Sequence, residues 1–217
     1  MRRLLVLVSA LVALLTIGPL AALGQEATPE PGGAALVRTD TRYVIPYGPD
    51  GLNAGLTVRE TLTGTCTDDS IVVSDRADAF QCLGNGDQIY DPCFENPFAP
   101  RDKPGDVACV PDPFSSEVVV LTVKDPLPRE KEARVGQGES PFAPWDLPWA
   151  LELANGDRCT LLGGTLYELA GQVVYYGCEQ HGAVLGVVDH GQPLWTVNYQ
   201  AEGDVASRLV EVMTAWS

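Results

Sequence analysis

From Trp149 onward the chain alternates apolar and polar positions in short bursts. Trp149, Leu151 and Leu153 alternate with Ala150 and Glu152, and Asn155-Gly156 follows. That dipeptide tolerates the positive φ angles of a tight hairpin turn, so a returning strand through Cys159 to Leu162 is expected. Further β-rich runs occupy Val173 to Tyr176, Ala183 to Val188 and Leu194 to Tyr199. The turn-forming stretches Glu179 to Gly182 and Asp189 to Pro193 separate them. Short strands at this spacing predict an antiparallel meander. The last run, Val205 to Trp216, fits two templates. Val205, Leu209, Val212, Met213 and Trp216 make a helical stripe, whereas Val210, Val212, Thr214 and Trp216 alternate as a closing strand, the reading preferred here.

Earlier in the chain, Leu56, Val58 and Leu62 alternate with Thr57, Arg59, Thr61 and Thr63, which predicts a half-buried strand entering Cys66. Val118 to Val123 is continuously apolar, as in a strand covered on both faces. Asp75 to Cys82 fits one short helix capped by Ser74. The expected fold is therefore mainly β with at most one or two short helices, built as an antiparallel meander closing into a small sandwich or barrel. The charged, turn-rich stretch Lys124 to Gly138 divides it into two possible halves, 38–128 and 139–217. A short repeat, Pro97-Phe98-Ala99-Pro100 and Pro141-Phe142-Ala143-Pro144, matches no solenoid period. Its phenylalanines are expected to plug loops onto the domain.

The first residues change the picture of where the protein works. Arg2 and Arg3 precede an apolar stretch from Leu4 to Leu15, Gly18-Pro19 breaks it, and Ala22-Leu23-Gly24 ends it with small residues. Residues 1–24 thus read as a secretory signal peptide, and an uncleaved membrane anchor is the alternative. Residues 25–37, rich in Pro, Gly, Ala and Glu, read as a disordered linker to a domain over 38–217. An extracytoplasmic location follows, with membrane contact only through an uncleaved leader.

Six cysteines in an exported chain imply three disulfides. The spacing favours local pairs, Cys66 with Cys82, Cys93 with Cys109, and Cys159 with Cys178. No C-x-x-C is present, so neither a redox dithiol nor a zinc ribbon is indicated.

The net charge of −15 becomes about −17 once Arg2 and Arg3 leave with the leader. Nucleic acid is excluded as a partner, because its binding needs clustered cations and here Lys and Arg are scattered among carboxylates.

The strings DAFQCLGNGDQIYDPCF (78–94) and WALELANGDRCTLLGG (149–164) resemble a family of uncharacterised secreted or cell-envelope proteins of high-GC bacteria. The shared elements are D-A-aromatic-x-C, D-P-C-F, and a tryptophan-led hairpin with a cysteine behind its Asn-Gly turn. The likeness spans most of residues 56–217. It implies an extracellular location and the same cysteine pairing, and it carries no activity.

Candidate chemistry is sparse. His181 and His190 lie in turns beside Glu179 and Asp189, at a spacing that fits no zinc signature. The G-x-S-x-G elbow is absent, Ser140 is followed by a proline, and Ser115 and Ser116 head an apolar strand. No phosphate loop or dinucleotide fingerprint appears, so no cofactor is expected. Aromatic residues remain. Trp145, Trp149, Tyr175 and Trp195 are candidate ligand contacts, although alternation directs Trp149 and Trp195 toward a core. The leading expectation is a non-enzymatic binding or interaction module whose partner is an envelope component, an extracellular protein or a glycan. The rivals are a secreted hydrolase whose triad assembles only in three dimensions, and a purely structural envelope protein.

Overall fold

Three-residue β1 (Asp40–Arg42) and a small hairpin, β2 (Tyr47–Gly48) and β3 (Gly51–Leu52), lead into the first of two barrels. The computed structural model describes residues 38–100, 105–127 and 145–217. The expectations for the leader, the linker, most of Lys124 to Gly138, Ser140 and the second Pro-Phe-Ala-Pro copy lie outside them. The described residues fall within one compact unit, Leu36–Ser217.

The first barrel comprises β4 (Thr57–Asp69), β5 (Ala79–Leu83), β6 (Ile89–Glu95), β7 (Asp106–Cys109) and β8 (Glu117–Val123). Consecutive strands pair antiparallel, and an odd number of them in a meander makes the closing pair, β8 with β4, parallel. Long β4 serves both neighbours: Thr57 to Gly64 bond to β8, and Thr65 to Asp69 bond to β5. Gly64 stands at that changeover. A Cβ there would meet the Leu83 carbonyl oxygen at 2.5 Å, so only glycine permits the approach.

The second barrel is six-stranded and wholly antiparallel. Its strands are β9 (Ala150–Leu153), β10 (Arg158–Leu161), β12 (Gln172–Cys178), β13 (Ala183–Asp189), β14 (Thr196–Gln200) and β15 (Arg208–Trp216). β15 closes on β9, and the intervening short β11 (Tyr167–Leu169) pairs with β12 outside the ring. β1 runs parallel to the last residues of β15, beyond the point where β14 begins. Gly156, at φ +83°, turns the predicted Asn-Gly hairpin.

Mainly β architecture and the meander are as the alternation indicated, and closure follows from it. Val119, Leu121 and Val123 of β8 fill the first barrel while Val118 packs outside it, the two-faced burial that its apolar run implied. The closing strand is β15, not a helix: Leu209 is 70% exposed where the helical stripe needed it buried, and Val210 and Val212 point into the core.

Three expectations fail. Asp75 to Cys82 is no helix, but a turn followed by β5. Phe80 and Cys82 both enter the barrel at the two-residue period of a strand, and Cys82 must face Cys66 across β4. Val58 is exposed, because a bulge between Val58 and Glu60 reverses the alternation read from sequence. Phe98, expected to plug a loop, is 54% exposed.

All three disulfides join residues directly opposed on neighbouring strands: Cys66–Cys82 on β4 and β5, Cys93–Cys109 on β6 and β7, Cys159–Cys178 on β10 and β12. Inside the five-stranded barrel the Sγ atoms of Cys82, Cys93 and Cys109 lie within 4.8 Å of one another. Two sulfur bridges thereby fill a lumen narrower than an eight-stranded barrel would enclose.

A third apolar cluster lies between the barrels. Val72, Val73, Ala79, Phe94, Val110 and Val118 from the first half enclose Trp149, which precedes β9. Arg76 clamps the same seam. Its guanidinium donates to both carboxylate oxygens of Asp78 at 2.9 and 2.6 Å, and to the carbonyls of Val44 and Ser217. Its guanidinium carbon stands 4.4 Å from the Phe94 ring centroid. Phe114 adds an edge-to-face contact with Trp216 and lies under Arg158.

Candidate functional site

Two carboxylates in the described structure are committed to holding loops. Asp157, buried behind the Asn-Gly turn, accepts from the backbone amides of Arg158 and Gln180 through Oδ1 and from the Tyr199 hydroxyl through Oδ2 at 2.8 Å. Burial and that carboxylate together push the Tyr199 phenol up to about 12. Asp91 accepts from Ser70 Oγ at 2.5 Å, from the Ile71 amide at 3.0 Å and from Gln81 Nε2 at 3.3 Å, tying the turn after β4 to β6.

Burial raises the Asp91 pKa above the ordinary aspartate value even though these donors pull it down. A folded-state value above the unfolded one means that the native protein binds the proton more tightly. The Asp91 contribution is then fully present below the usual aspartate range and is lost as pH rises through the raised value. Urea titrations between pH 3.5 and 7 should show wild type gaining stability relative to Asp91→Asn as the pH falls. A gap that is constant or widens in the opposite sense would refute the shift.

A different arrangement forms at one side of the second barrel, where three segments distant in sequence meet. Tyr43 follows β1, Trp145 and Asp146 precede β9, and His190 and Trp195 flank the turn from β13 to β14. Backbone and hydroxyl bonds fix these segments. The Thr39 amide donates to the Pro193 carbonyl at 2.9 Å, and Thr39 Oγ1 accepts from the Trp195 amide at 2.8 Å while donating to the Val212 carbonyl at 2.7 Å. The Val188 amide donates to the Asp146 carbonyl at 3.0 Å. Trp145 is held at φ +68°, a left-handed backbone that costs a bulky residue on the order of 1–3 kcal/mol and so requires the surrounding contacts to enforce it.

The rings form a continuous chain. Tyr43 and Trp145 lie 5.3 Å apart between centroids with their planes at 67°, Trp145 and Trp195 at 5.7 Å and 63°, and Trp195 and His190 at 5.6 Å and 54°. His190 Nε2 hydrogen-bonds Asp146 Oδ1 at 2.8 Å. Tyr43 is 57% exposed, and Trp145, His190 and Trp195 are half-buried, so each ring keeps contact with solvent.

Of the aromatic residues singled out from sequence, Trp145 and Trp195 belong to this cluster. Trp149 does not: at 4% exposure it is a core residue of the inter-barrel seam. Tyr175 packs against the core of the second barrel, as Trp145 and Trp195 also do, but is not one of the rings that form the chain. His181 is exposed in its turn, whereas His190 is not an isolated turn histidine but one half of a pair with Asp146. Sequence reasoning missed Tyr43, since its position depends on β1 joining a strand more than 170 residues later. It also missed Asp146 as the partner of His190 across 44 residues.

The arrangement can receive an apolar or cationic group on ring faces and orient it with a carboxylate and an imidazole. Among the described residues no hydroxyl or free thiol reaches His190, and all six cysteines are in disulfides. Compared with models of protein families, with curated proteins and with solved structures, the chain matches none.

Proposed function

We propose that the protein is an exported, non-enzymatic binding module that takes its ligand on the ring cluster of Tyr43, Trp145, Trp195 and His190. One observation carries the reading: an exposed tyrosine ring and three half-buried rings from three separate segments form a continuous chain that ends on the His190–Asp146 pair, at the expense of an unfavourable backbone at Trp145. Trp145 and Trp195 pack one side against the core of the second barrel and keep the other in reach of solvent, and Tyr43 extends the chain outward. The leader-like residues 1–24 and three disulfides are what a protein working in an oxidising compartment needs. The hydrogen bonds of Thr39 to Pro193, Trp195 and Val212 hold the turn at 189–195 without ligand, so little ordering cost remains for binding.

Tyr43→Ala separates recognition from folding, because its ring is exposed. Purified wild type should change its tryptophan emission on addition of choline, a lysine tripeptide or maltotetraose, while Tyr43→Ala keeps the native circular dichroism and loses at least half of that response. If none of the three probes alters wild-type emission, or the variant responds equally, the cluster is not a ligand site.

The His190–Asp146 pair favours one second reading, a hydrolase in which Asp146 orients His190 as a general base. Under that reading wild type turns over ester or glycoside probes and His190→Asn abolishes the turnover, whereas under the first wild type has no turnover to lose.

A further inference from the structure

Building on the reading of this cluster as a ligand site, we infer that its occupant is a quaternary or alkylated ammonium group, held on the faces of Tyr43, Trp145 and Trp195 beside the Asp146 carboxylate. The mutual tilts of the rings decide between ligand shapes. Successive planes stand at 67°, 63° and 54° in edge-to-face and tilted contacts, so no two of the rings make a flat platform. A pyranose ring needs a flat face to stack on and meets one such ring at a time. A compact, roughly spherical cation fits between two tilted faces and gains the quadrupole attraction of both.

Charge points the same way. The chain carries −15 overall, which concentrates cations and repels anions near its surface. Asp146 places a carboxylate at the end of the ring chain, bonded to His190. The cation nearest Tyr43 in sequence, Arg42, is engaged elsewhere, with its Nε on Asp40 at 2.7 Å and its guanidinium over Trp216 at 5.6 Å. The methyl groups of a quaternary ammonium require no hydrogen-bond donors from the site, and ring faces offer none.

Calorimetric and fluorescence titrations of the intact protein with choline and with its uncharged isostere, 3,3-dimethylbutan-1-ol, test this directly. Choline is expected to bind about ten-fold or more tightly than the isostere. Tyr43→Ala should weaken choline several-fold, and Asp146→Asn should weaken choline while leaving the isostere unchanged. Equal affinity for the charged and uncharged probes would overturn the inference by showing a merely apolar site. Binding of maltotetraose in preference to choline, lost in Tyr43→Ala, would also overturn it while leaving the binding-module reading standing. Silence of every probe would remove both. Trp145 and Trp195 are left unmutated because their half-buried rings also support the fold; Tyr43 and Asp146 keep the test independent of misfolding, as native circular dichroism of both variants will establish.

Discussion

Trp149→Ala is expected to lower the unfolding free energy by about 3–5 kcal/mol, the cost of emptying a fully enclosed aromatic site. The indole is 4% exposed and is surrounded by Val72, Val73, Ala79, Phe94, Val110 and Val118, all contributed by the first half of the chain. Among the described residues of the second barrel, partly buried Leu161 of β10 is the other one packed against that cluster. Removing it therefore weakens the seam more than either barrel. Urea unfolding monitored separately by the remaining tryptophans and by far-ultraviolet circular dichroism should lose coincidence in the variant, since the barrels no longer unfold as one unit. A loss below about 1 kcal/mol with a single coincident transition would contradict the placement of Trp149 between the barrels.

Replacing Cys93 and Cys109 together by alanine is expected to cost about 3 kcal/mol, the chain entropy of a loop of this length, with a further loss from the small cavity left in the lumen. Both residues are fully buried, and their sulfurs lie against Cys82 of the neighbouring bridge. Removing Cys159 and Cys178 restores the same entropy to the unfolded chain without exposing a second bridge, so the first-barrel variant should be the less stable of the two. Thermal melts of both double variants provide the comparison, and the reverse order would argue against the packed sulfur cluster.

The parts legible in sequence are those in which a local pattern has a local cause. Asn155-Gly156 forms its hairpin because the turn chemistry is contained in two residues, and the run from Val118 to Val123 is buried on both faces because all of it but exposed Thr122 is apolar. The three cysteine pairs span 16, 16 and 19 residues, short enough that each closes one hairpin or near-hairpin. What escaped reading was long-range. Val58 turns outward because a bulge answers to β8, about 60 residues later, and Asp75 to Cys82 gives up helical propensity because Cys82 must oppose Cys66. The ring cluster shows the same limit. Trp145 and Trp195 were visible as aromatic residues, but their meeting with Tyr43 and His190 depends on how the second barrel closes and on β1 lying beside β15.

That last pairing has a consequence for the order of assembly. A chain synthesised from its amino end exposes β1 first and β15 last, so the earliest strand waits for its neighbour until nearly every other residue has emerged. The five strands from Thr57 to Val123 find all their partners among themselves and can ring-close in the meantime. Tyr43 travels with β1, so the ring cluster is finished only when the final segment docks, and a truncated or stalled product would carry a sound first barrel and an unassembled cluster.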